Sequence, residues 1–441
     1  MTKKMPKFID WFRNASAYIN AHRNKTFVVL LSGEALADEN FPNIVYDINV
    51  LHSLGVKLVL VHGARPQISA ALETAGIESR YHNDLRITDA ESLVVTKQVI
   101  GQLSIDIEAQ FSMGLVNSPM HNADIRLCRG NFVIARPYGV HDGVDFLNTG
   151  LVRKIQATAI EQQLNQRHIV LLSNLGYSPT GEVFNLSAEE VATEAAIALR
   201  ADKLILLVSG RGVTDSKGKL LTSLNPVQAR QHLATMAAGG GSADPCTEHA
   251  LKAAIRASEN KIHRTHLISY HFNGALLQEL FTREGKGTLI SQEHSEQLRD
   301  ATIDDVGGIL ELIKPLEEAG TLVHRSRELL ETEISNFKVI TYEGMIIACA
   351  ALYPLGNQAG EIACIATHPA YQNLGRGDSL LTSLEAQARK VGIRKVYILT
   401  TVATHWFMER GFSQVSVEDL PERKKQLYNY QRNSKVFVKP L

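Results

Sequence analysis

Short runs of Val, Ile and Leu recur along the first two thirds of the chain, at 26–31, 56–61, 168–173, 203–208 and 265–270. Each is one strand long and apolar on both faces, the pattern of a strand buried within a parallel sheet. Between them lie longer stretches with apolar residues at helical spacing, such as 185–200 and 226–236. The alternation predicts an α/β sheet with helices on both faces. Residues 8–23 place Phe8, Trp11, Phe12, Ala15, Tyr18 and Ile19 on one helical stripe ahead of the first strand. That helix must pack on its own domain or on a neighbouring subunit. Residues 236–246 are rich in Ala, Gly, Ser and Pro and are expected to form a flexible loop.

The sheet pattern ends at Gly287, Thr288, Leu289 and Ile290, and the polar stretch 291–297 is the expected linker. A different pattern starts at Leu298. It predicts a short strand, helices over 304–316 and 326–336, and a hairpin of 337–342 with 345–352 that turns at Glu343 and Gly344. A strand at 361–366, a helix at 376–391, a strand at 395–401, a helix at 404–410 and a last strand at 435–439 follow. The expected organisation is an α/β domain over 1–290 and an α+β domain over 298–441.

With 441 residues, the chain has room for two or three domains, each with its own core. Lys plus Arg and Asp plus Glu number 46 each, a balance that argues against a nucleic-acid or membrane-surface partner. The four cysteines, Cys128, Cys246, Cys349 and Cys364, form no C-x-x-C pair, so no metal site is expected. So few thiols fit a reducing compartment. No stretch approaches the roughly 20 apolar residues of a spanning helix. Lys3, Lys4 and Lys7 are not followed by an apolar signal core, so the expected location is cytoplasmic.

The informative chemistry lies between Gly360 and Leu381. A strand ends at Ala366 and is followed by Gln372-Asn373-Leu374-Gly375-Arg376-Gly377 and an apolar helix. A glycine turn opening a helix presents backbone N–H groups and the positive end of the helix dipole, which suits a pyrophosphate. Gly375 and Gly377 would let the backbone approach it, and Arg376 would add charge. Such a turn can also be only a turn, so its context matters. The order strand, Q-x-x-G-x-G, helix, strand, then Glu409-Arg410-Gly411-Phe412 resembles the GCN5-related N-acetyltransferase family over residues 298–441.

That resemblance implies acetyl-CoA as co-substrate, held by Ile365, Ala366, Gln372, Asn373, Leu374, Gly375, Arg376 and Gly377. The thioester would lie between strands 361–366 and 395–401. Acetyl transfer to an amine needs a base, donors at the developing oxyanion and a proton donor near the leaving thiolate. Glu361 is the candidate base, directly or through a water; an ordinary strand-edge carboxylate is the competing reading. A backbone N–H near Cys364 would serve the oxyanion, with the Cys364 thiol a small core group rather than an acyl acceptor. Thr400 is the candidate donor to sulfur, with Tyr428 and Tyr430 as rivals.

Residues 1–290 resemble the amino-acid kinase family, an α/β/α sandwich. The resemblance rests on Lys25-Thr26-Phe27-Val28, Val61-His62-Gly63 with Pro66-Gln67-Ile68, Leu85-Arg86-Ile87-Thr88-Asp89, and Glu279-Leu280-Phe281 with Gly285-Lys286-Gly287-Thr288. The kinase machinery is missing. Leu30 stands where the family has a phosphate-holding lysine, Ser32-Gly33 and Ala64-Arg65 where it has paired glycines, and Glu189 where it has an organising aspartate. The nucleotide-side pattern reads Val208-Ser209-Gly210-Arg211-Gly212-Val213. Phosphoryl transfer depends on such positioned charge and close backbone donors, so a non-catalytic domain is expected.

A silent kinase-like domain fused to an acetyltransferase resembles the bacterial N-acetylglutamate synthase family. This implies acetyl transfer to L-glutamate at the first step of arginine biosynthesis. It assigns substrate contacts to Arg325, Arg432 and Ser434; arginine forks suit carboxylates, although lone arginines are usually solvated. It implies L-arginine as feedback effector at Tyr18, His266, Glu279 and Gly285. The resemblance also implies a homo-oligomer, a ring of six paired through the N-terminal helices. The rival readings are an active kinase, a coenzyme-holding arginine sensor, and a transferase for another small amine.

Overall fold

The protein is described from a computed structural model over residues 7–113, 125–215, 217–238, 244–282, 285–292, 296–342, 345–372, 375–430 and 432–441. It forms two compact units, Met1–Glu293 and His294–Leu441.

The first unit is built on an eight-stranded sheet. Its centre is the strand Thr26–Leu31, which pairs in parallel with Lys57–His62 on one side and Lys203–Val208 on the other. Ile169–Ser173 and Leu127–Cys128 extend one edge; Arg264–Ser269, Thr288–Ser291 and Ser223–Leu224 extend the other. Alternate residues feed two cores, as the pleat demands. Val28, Leu30, Val59, Val61, Leu204 and Leu206 pack under the helices Ala188–Leu199 and Pro245–Glu259. Phe27, Val29, Leu31, Leu58, Leu60, Ile205 and Leu207 pack under Phe41–Ser53 and Ala275–Phe281. Continuous Val/Ile/Leu runs are therefore required: either alternate set would otherwise be polar inside a core. The Ala188–Leu199 helix starts where the Ser187 hydroxyl accepts from the Glu190 N–H, and stops at Arg200, in the left-handed conformation (φ 49°).

The N-terminal helix Lys7–His22 buries Ala15 and ends with His22 bonded to the Leu280 carbonyl at 2.8 Å, while Phe12 stays 53% exposed. A second sheet of four short strands, among residues 133–185, escaped the hydrophobic pattern. The stretch 236–246 differs from the expected loop: the helix Pro226–Ala238 runs into it and Pro245–Glu259 begins within it, capped by Asp244. Residues 239–243 lie outside the described residues, as do Glu343 and Gly344 of the expected hairpin turn. Strands also occupy both ends of the expected linker, at Thr288–Ser291 and Glu296–Asp300.

The second unit is a seven-stranded sheet in the order Glu296–Asp300, Phe337–Tyr342, Met345–Gly356, Ala359–Thr367, Lys395–Thr400, Lys435–Pro440, Ser413–Val415. Among the described residues, its one parallel junction joins Ala359–Thr367 to Lys395–Thr400. The helix Arg376–Lys390 covers one face through Leu380, Leu381, Leu384 and Ala388. Val306–Glu318 and Arg327–Glu333 cover the other through Val306, Ile309, Ile313 and Leu330. Among the described residues, no helix is long and apolar enough to cross a membrane.

Candidate active site

The parallel junction is incomplete. Pairing runs from Ala359↔Lys395 to Glu361↔Tyr397 and stops, although both strands continue, to Thr367 and Thr400. Beyond Glu361 the strands diverge into a fork, and the facing backbone edges are open to a ligand. A bulge bends the Ala359–Thr367 strand away. Ala351 opposes Ala363 and Cys349 opposes Ala366, leaving Cys364 and Ile365 without cross-strand partners in that register. Cys364 takes φ +55°, a left-handed conformation costly for a residue with a Cβ. The bulge also resets the pleat: Ile362 and Ile365 share one core, whereas Cys364 and Ala366 share the other. Cys364 is buried, which fits a backbone role rather than an exposed nucleophile. The neighbouring Cys349 thiol bonds to it, lowering the Cys364 pKa and raising that of Cys349.

Glu361 is buried at the fork, opposite Tyr353 on the Met345–Gly356 strand. Tyr353 donates to Glu333 at 2.8 Å, and burial holds its phenol well above the usual range. Arg325 lies beside Tyr353 and Cys364. Burial opposes its charge but is outweighed by the Cys364 thiol, Tyr353 and Glu333, so its pKa is raised. Glu317 fixes this corner, accepting from the Arg325 N–H at 2.9 Å and binding His324 at 2.9 Å.

From the segment preceding the strand Lys435–Pro440, Arg432 reaches back to donate to the Thr321 carbonyl. It therefore meets the same loop, 319–326, that carries Arg325. Its buried Nε has no hydrogen-bond partner among the described residues. Ser434 is buried, and its carbonyl accepts from Tyr428 at 2.7 Å. Tyr428 thus has its proton committed, and Tyr430 is 70% exposed. The Thr400 hydroxyl sits at the end of its strand, accepting from the Val402 and Ala403 N–H groups at 3.3 and 3.1 Å, which leaves its own hydrogen to donate. Lys424 went unnoticed in the sequence: its Nζ lies 2.7 Å from the Glu361 carboxylate.

The glycine turn opens the helix Arg376–Lys390. Gly375 has φ +78° with open space around its Cβ position, and among the described residues no side chain caps the helix. Free N–H groups therefore face outward, as an anion site requires. Two expectations change. A Cβ on Gly377 would sit 3.0 Å from Trp406, so this glycine serves packing. The Arg376 guanidinium is turned inward, bonded to both Glu296 oxygens and to the Tyr371 carbonyl at 2.6 Å, so its charge is already used. Gln372 is exposed and donates to the Thr367 carbonyl at 3.3 Å; Asn373 and Leu374 lie outside the described residues.

In the first unit, Glu279 and His266 form a buried pair at 2.8 Å. Burial would raise the Glu279 pKa, but His266 and the backbone N–H groups of Lys286 and Gly287 outweigh it and lower it. Burial and nearby Lys203 lower the His266 pKa, against the pull of Glu279. A Cβ on Gly285 would meet Glu279 at 2.6 Å. Tyr18 lies against His22, ring centres 6.4 Å apart, and His22 meets Phe281, on the Glu279 helix, edge-on at 5.5 Å. Of the four expected sensor residues, His266, Glu279 and Gly285 meet directly, and Tyr18 is linked to them only through His22.

Residues 25–269 match the amino acid kinase family, and residues 308–412 match the acetyltransferase (GNAT) family. An amino-acid acetyltransferase of Ectopseudomonas mendocina (strain ymp) is 54% identical over 438 residues, 99% of this chain and 100% of the relative. The amino-acid acetyltransferase of Pseudomonas aeruginosa (strain UCBPP-PA14) is 53% identical over the same shares. The chain belongs to the amino-acid acetyltransferase family. It is an N-acetyltransferase enzyme. The N-acetylglutamate synthase of Neisseria gonorrhoeae, solved with coenzyme A and L-arginine, superposes with a TM-score of 0.87 at 35% identity, covering 98% of this chain and 99% of that one. The same enzyme solved with coenzyme A and N-acetyl-glutamate gives 0.62 over the same shares.

The acetyltransferase keeps a cleft of about 800 Å³ in its kinase-like unit, lined by Ser32, Gly33, Ala64, Arg86, Asn174 and Glu189 among others. Leu30 is buried in the sheet core. Arg86 is spoken for, donating to Ser79 and Ser69 at 2.6 and 2.7 Å. Arg65, at the cleft's rim, pairs with Asp84 at 2.8 Å.

Proposed function

We propose that the enzyme transfers the acetyl group of acetyl-CoA to the α-amino group of L-glutamate, the first step of arginine biosynthesis in the cytoplasm. The observation that carries this reading is the fork: Glu361 lies at its apex, and Arg325 and Arg432 meet one loop beside it. Two arginines at one corner suit an acceptor with two carboxylates. The ligands of the Neisseria gonorrhoeae relative, coenzyme A and N-acetyl-glutamate, support the same assignment.

The chemistry follows from the geometry. The uncapped turn at Gly375 offers N–H groups to the pyrophosphate, and the open edges of the fork take the pantetheine arm. Glu361 accepts a proton from the substrate ammonium, directly or through a water. The amine attacks the thioester carbonyl, and the backbone turned out by the bulge at Cys364 and Ile365 donates to the developing oxyanion. The carbon–sulfur bond then breaks. Thr400, its oxygen already fixed by two N–H groups, donates to the departing thiolate.

The kinase-like unit is, on this reading, a non-catalytic sensor in which L-arginine binds at Tyr18, His266, Glu279 and Gly285 and inhibits transfer. The exposed Phe12 on the Lys7–His22 helix supports pairing of these helices in a ring of six. Thiol release from acetyl-CoA by the purified enzyme tests the reading. Release should require L-glutamate and fall on adding L-arginine. Glu361→Gln should lower kcat by about 10²–10⁴-fold with coenzyme A binding kept. No glutamate-dependent release from folded, coenzyme-binding protein would sink the substrate assignment.

A further inference from the structure

Glu361 has a problem of occupancy. One oxygen of its carboxylate is held by Lys424 at 2.7 Å, in a pair whose side chains are 22% and 9% exposed for Lys424 and Glu361. The other oxygen stays open, but a carboxylate already paired with one ammonium gains less from a second. The incoming amino acid carries such an ammonium, so Lys424 and the substrate compete for the same acceptor.

Lys424 is also well placed to leave. It lies on the one-turn helix Glu422–Lys425, in the segment joining the strands Ser413–Val415 and Lys435–Pro440. This segment is anchored on both sides of the helix. Leu420 and Tyr428 pack on Ala359, Tyr397 and Val436, and Arg432 bonds to the Thr321 carbonyl. The backbone carrying Lys424 therefore stays at the mouth of the fork while its four-carbon stem can swing. An ammonium only partly exposed leaves one carboxylate at least cost where another receives it.

Resting on the reading of Glu361 as the base and L-glutamate as the acceptor, we infer that Lys424 is a specificity and positioning residue: it guards Glu361 in the ligand-free enzyme and transfers to the side-chain carboxylate of the incoming acidic amino acid. The exchange frees Glu361 for the substrate ammonium. An amino acid with a neutral side chain offers Lys424 nothing, so the base stays engaged. Arg325 and Arg432 hold carboxylate; Lys424 makes catalysis conditional on there being a second one.

The test compares kcat/KM for L-glutamate with that for its neutral isostere L-glutamine, in wild type, Lys424→Met and Lys424→Arg. A charge-assisted bond to the side-chain carboxylate corresponds to about 10–100-fold in the ratio. Lys424→Met should lower the glutamate:glutamine ratio by at least about tenfold, and Lys424→Arg should restore most of it. An equal loss with both acceptors overturns the inference, because a merely structural role moves both rates together. Should Lys424→Met fail to fold, binding to catalytically crippled protein decides. Calorimetry in the presence of coenzyme A compares Glu361→Gln, in which Lys424 has lost its carboxylate partner, with Glu361→Gln/Lys424→Met, in which neither charge remains. The single variant should prefer glutamate over glutamine by about tenfold more than the double variant; equal preference overturns the inference. Wild type without glutamate-dependent thiol release would remove the substrate reading and this inference together. Glutamate-dependent release with an unmoved ratio removes this inference alone.

Discussion

Replacing Arg376 by methionine removes a guanidinium and keeps most of the stem that packs it. The sequence places this arginine in the coenzyme turn; the structure binds it to Glu296 through two bonds and to the Tyr371 carbonyl, with its charge 5.1 Å from the Tyr371 ring centre. The Arg376 side chain is 9% exposed and that of Glu296 33%. Breaking a fully buried pair from one side costs about 3–5 kcal/mol. Water reaches a third of Glu296, so screening reduces that term to about 2–3 kcal/mol, and the stranded Tyr371 carbonyl adds about 1. A loss near 3 kcal/mol corresponds to roughly 6–12 °C in the melting of a unit of this size.

Tryptophan fluorescence can read that melt selectively. The chain has two tryptophans, and Trp406 lies against Gly377 at the start of the same helix, so a Trp11→Phe background leaves one probe at the right place. Arg376→Met should shift the Trp406 transition down while KM for acetyl-CoA moves about threefold or less, the effect of a distant change. Glu296→Gln separates the alternatives further. It strands the arginine, so stability should fall again; were Arg376 a coenzyme ligand, releasing it would tighten acetyl-CoA. An unmoved transition with KM for acetyl-CoA raised about tenfold or more would refute the structural role.

Other outcomes follow from single contacts. A Cβ on Gly287 would overlap the Leu267 carbonyl oxygen, which is backbone and cannot rotate away, so Gly287→Ala should cost more than about 3 kcal/mol in thermal unfolding of the full chain. Burial pushes the Asp47 carboxyl from 3.8 up to about 7. A raised folded-state value stabilises fully below the unfolded pKa and is lost as pH rises through 7, so in denaturant unfolding Asp47→Asn should be more stable than wild type at pH 8.5, by at most about 4 kcal/mol, and not at pH 4. On the proposed sensor reading, Glu279→Gln removes one charge from the His266 partner and weakens the acceptor for a guanidinium; the L-arginine concentration for half-inhibition should rise about tenfold or more, well beyond any change in KM for L-glutamate.

Much of the fold was legible because the buried strands are apolar on both faces. Thr26–Leu31 and Lys203–Val208 fall where the Val/Ile/Leu runs place them, since two cores consume every residue. The four-stranded sheet within 133–185 was not legible: strands such as Leu175–Tyr177 are three residues long, too short to show a period. The same limit hid the chemistry that depends on distant partners. Arg376 looks like a ligand because its partner, Glu296, stands 80 positions away. Lys424 sits in Glu422-Arg423-Lys424-Lys425, which reads as a solvated run; only the fold brings it to Glu361. The bulge at Cys364 carries no glycine, so no residue type marks its left-handed turn.

The proposed transferase and sensor sites share a device. Glu361 is held by Lys424, and Glu279 by His266 and two backbone N–H groups. Each buried charge is partnered within its own unit before any ligand arrives, as the cost of an unpaired buried charge requires. A ligand at either place must therefore exchange with an internal partner instead of filling a void. Exchange rewards a ligand only for what it offers beyond the partner it displaces. A second carboxylate has that advantage at the fork, and a guanidinium with its planar donors has it at Glu279, where His266 supplies a single N–H. Selectivity then comes from the displaced group as much as from the contacts made. The consequence is that weakening an internal partner should broaden ligand choice at that site, whereas weakening a direct ligand contact should only lower affinity.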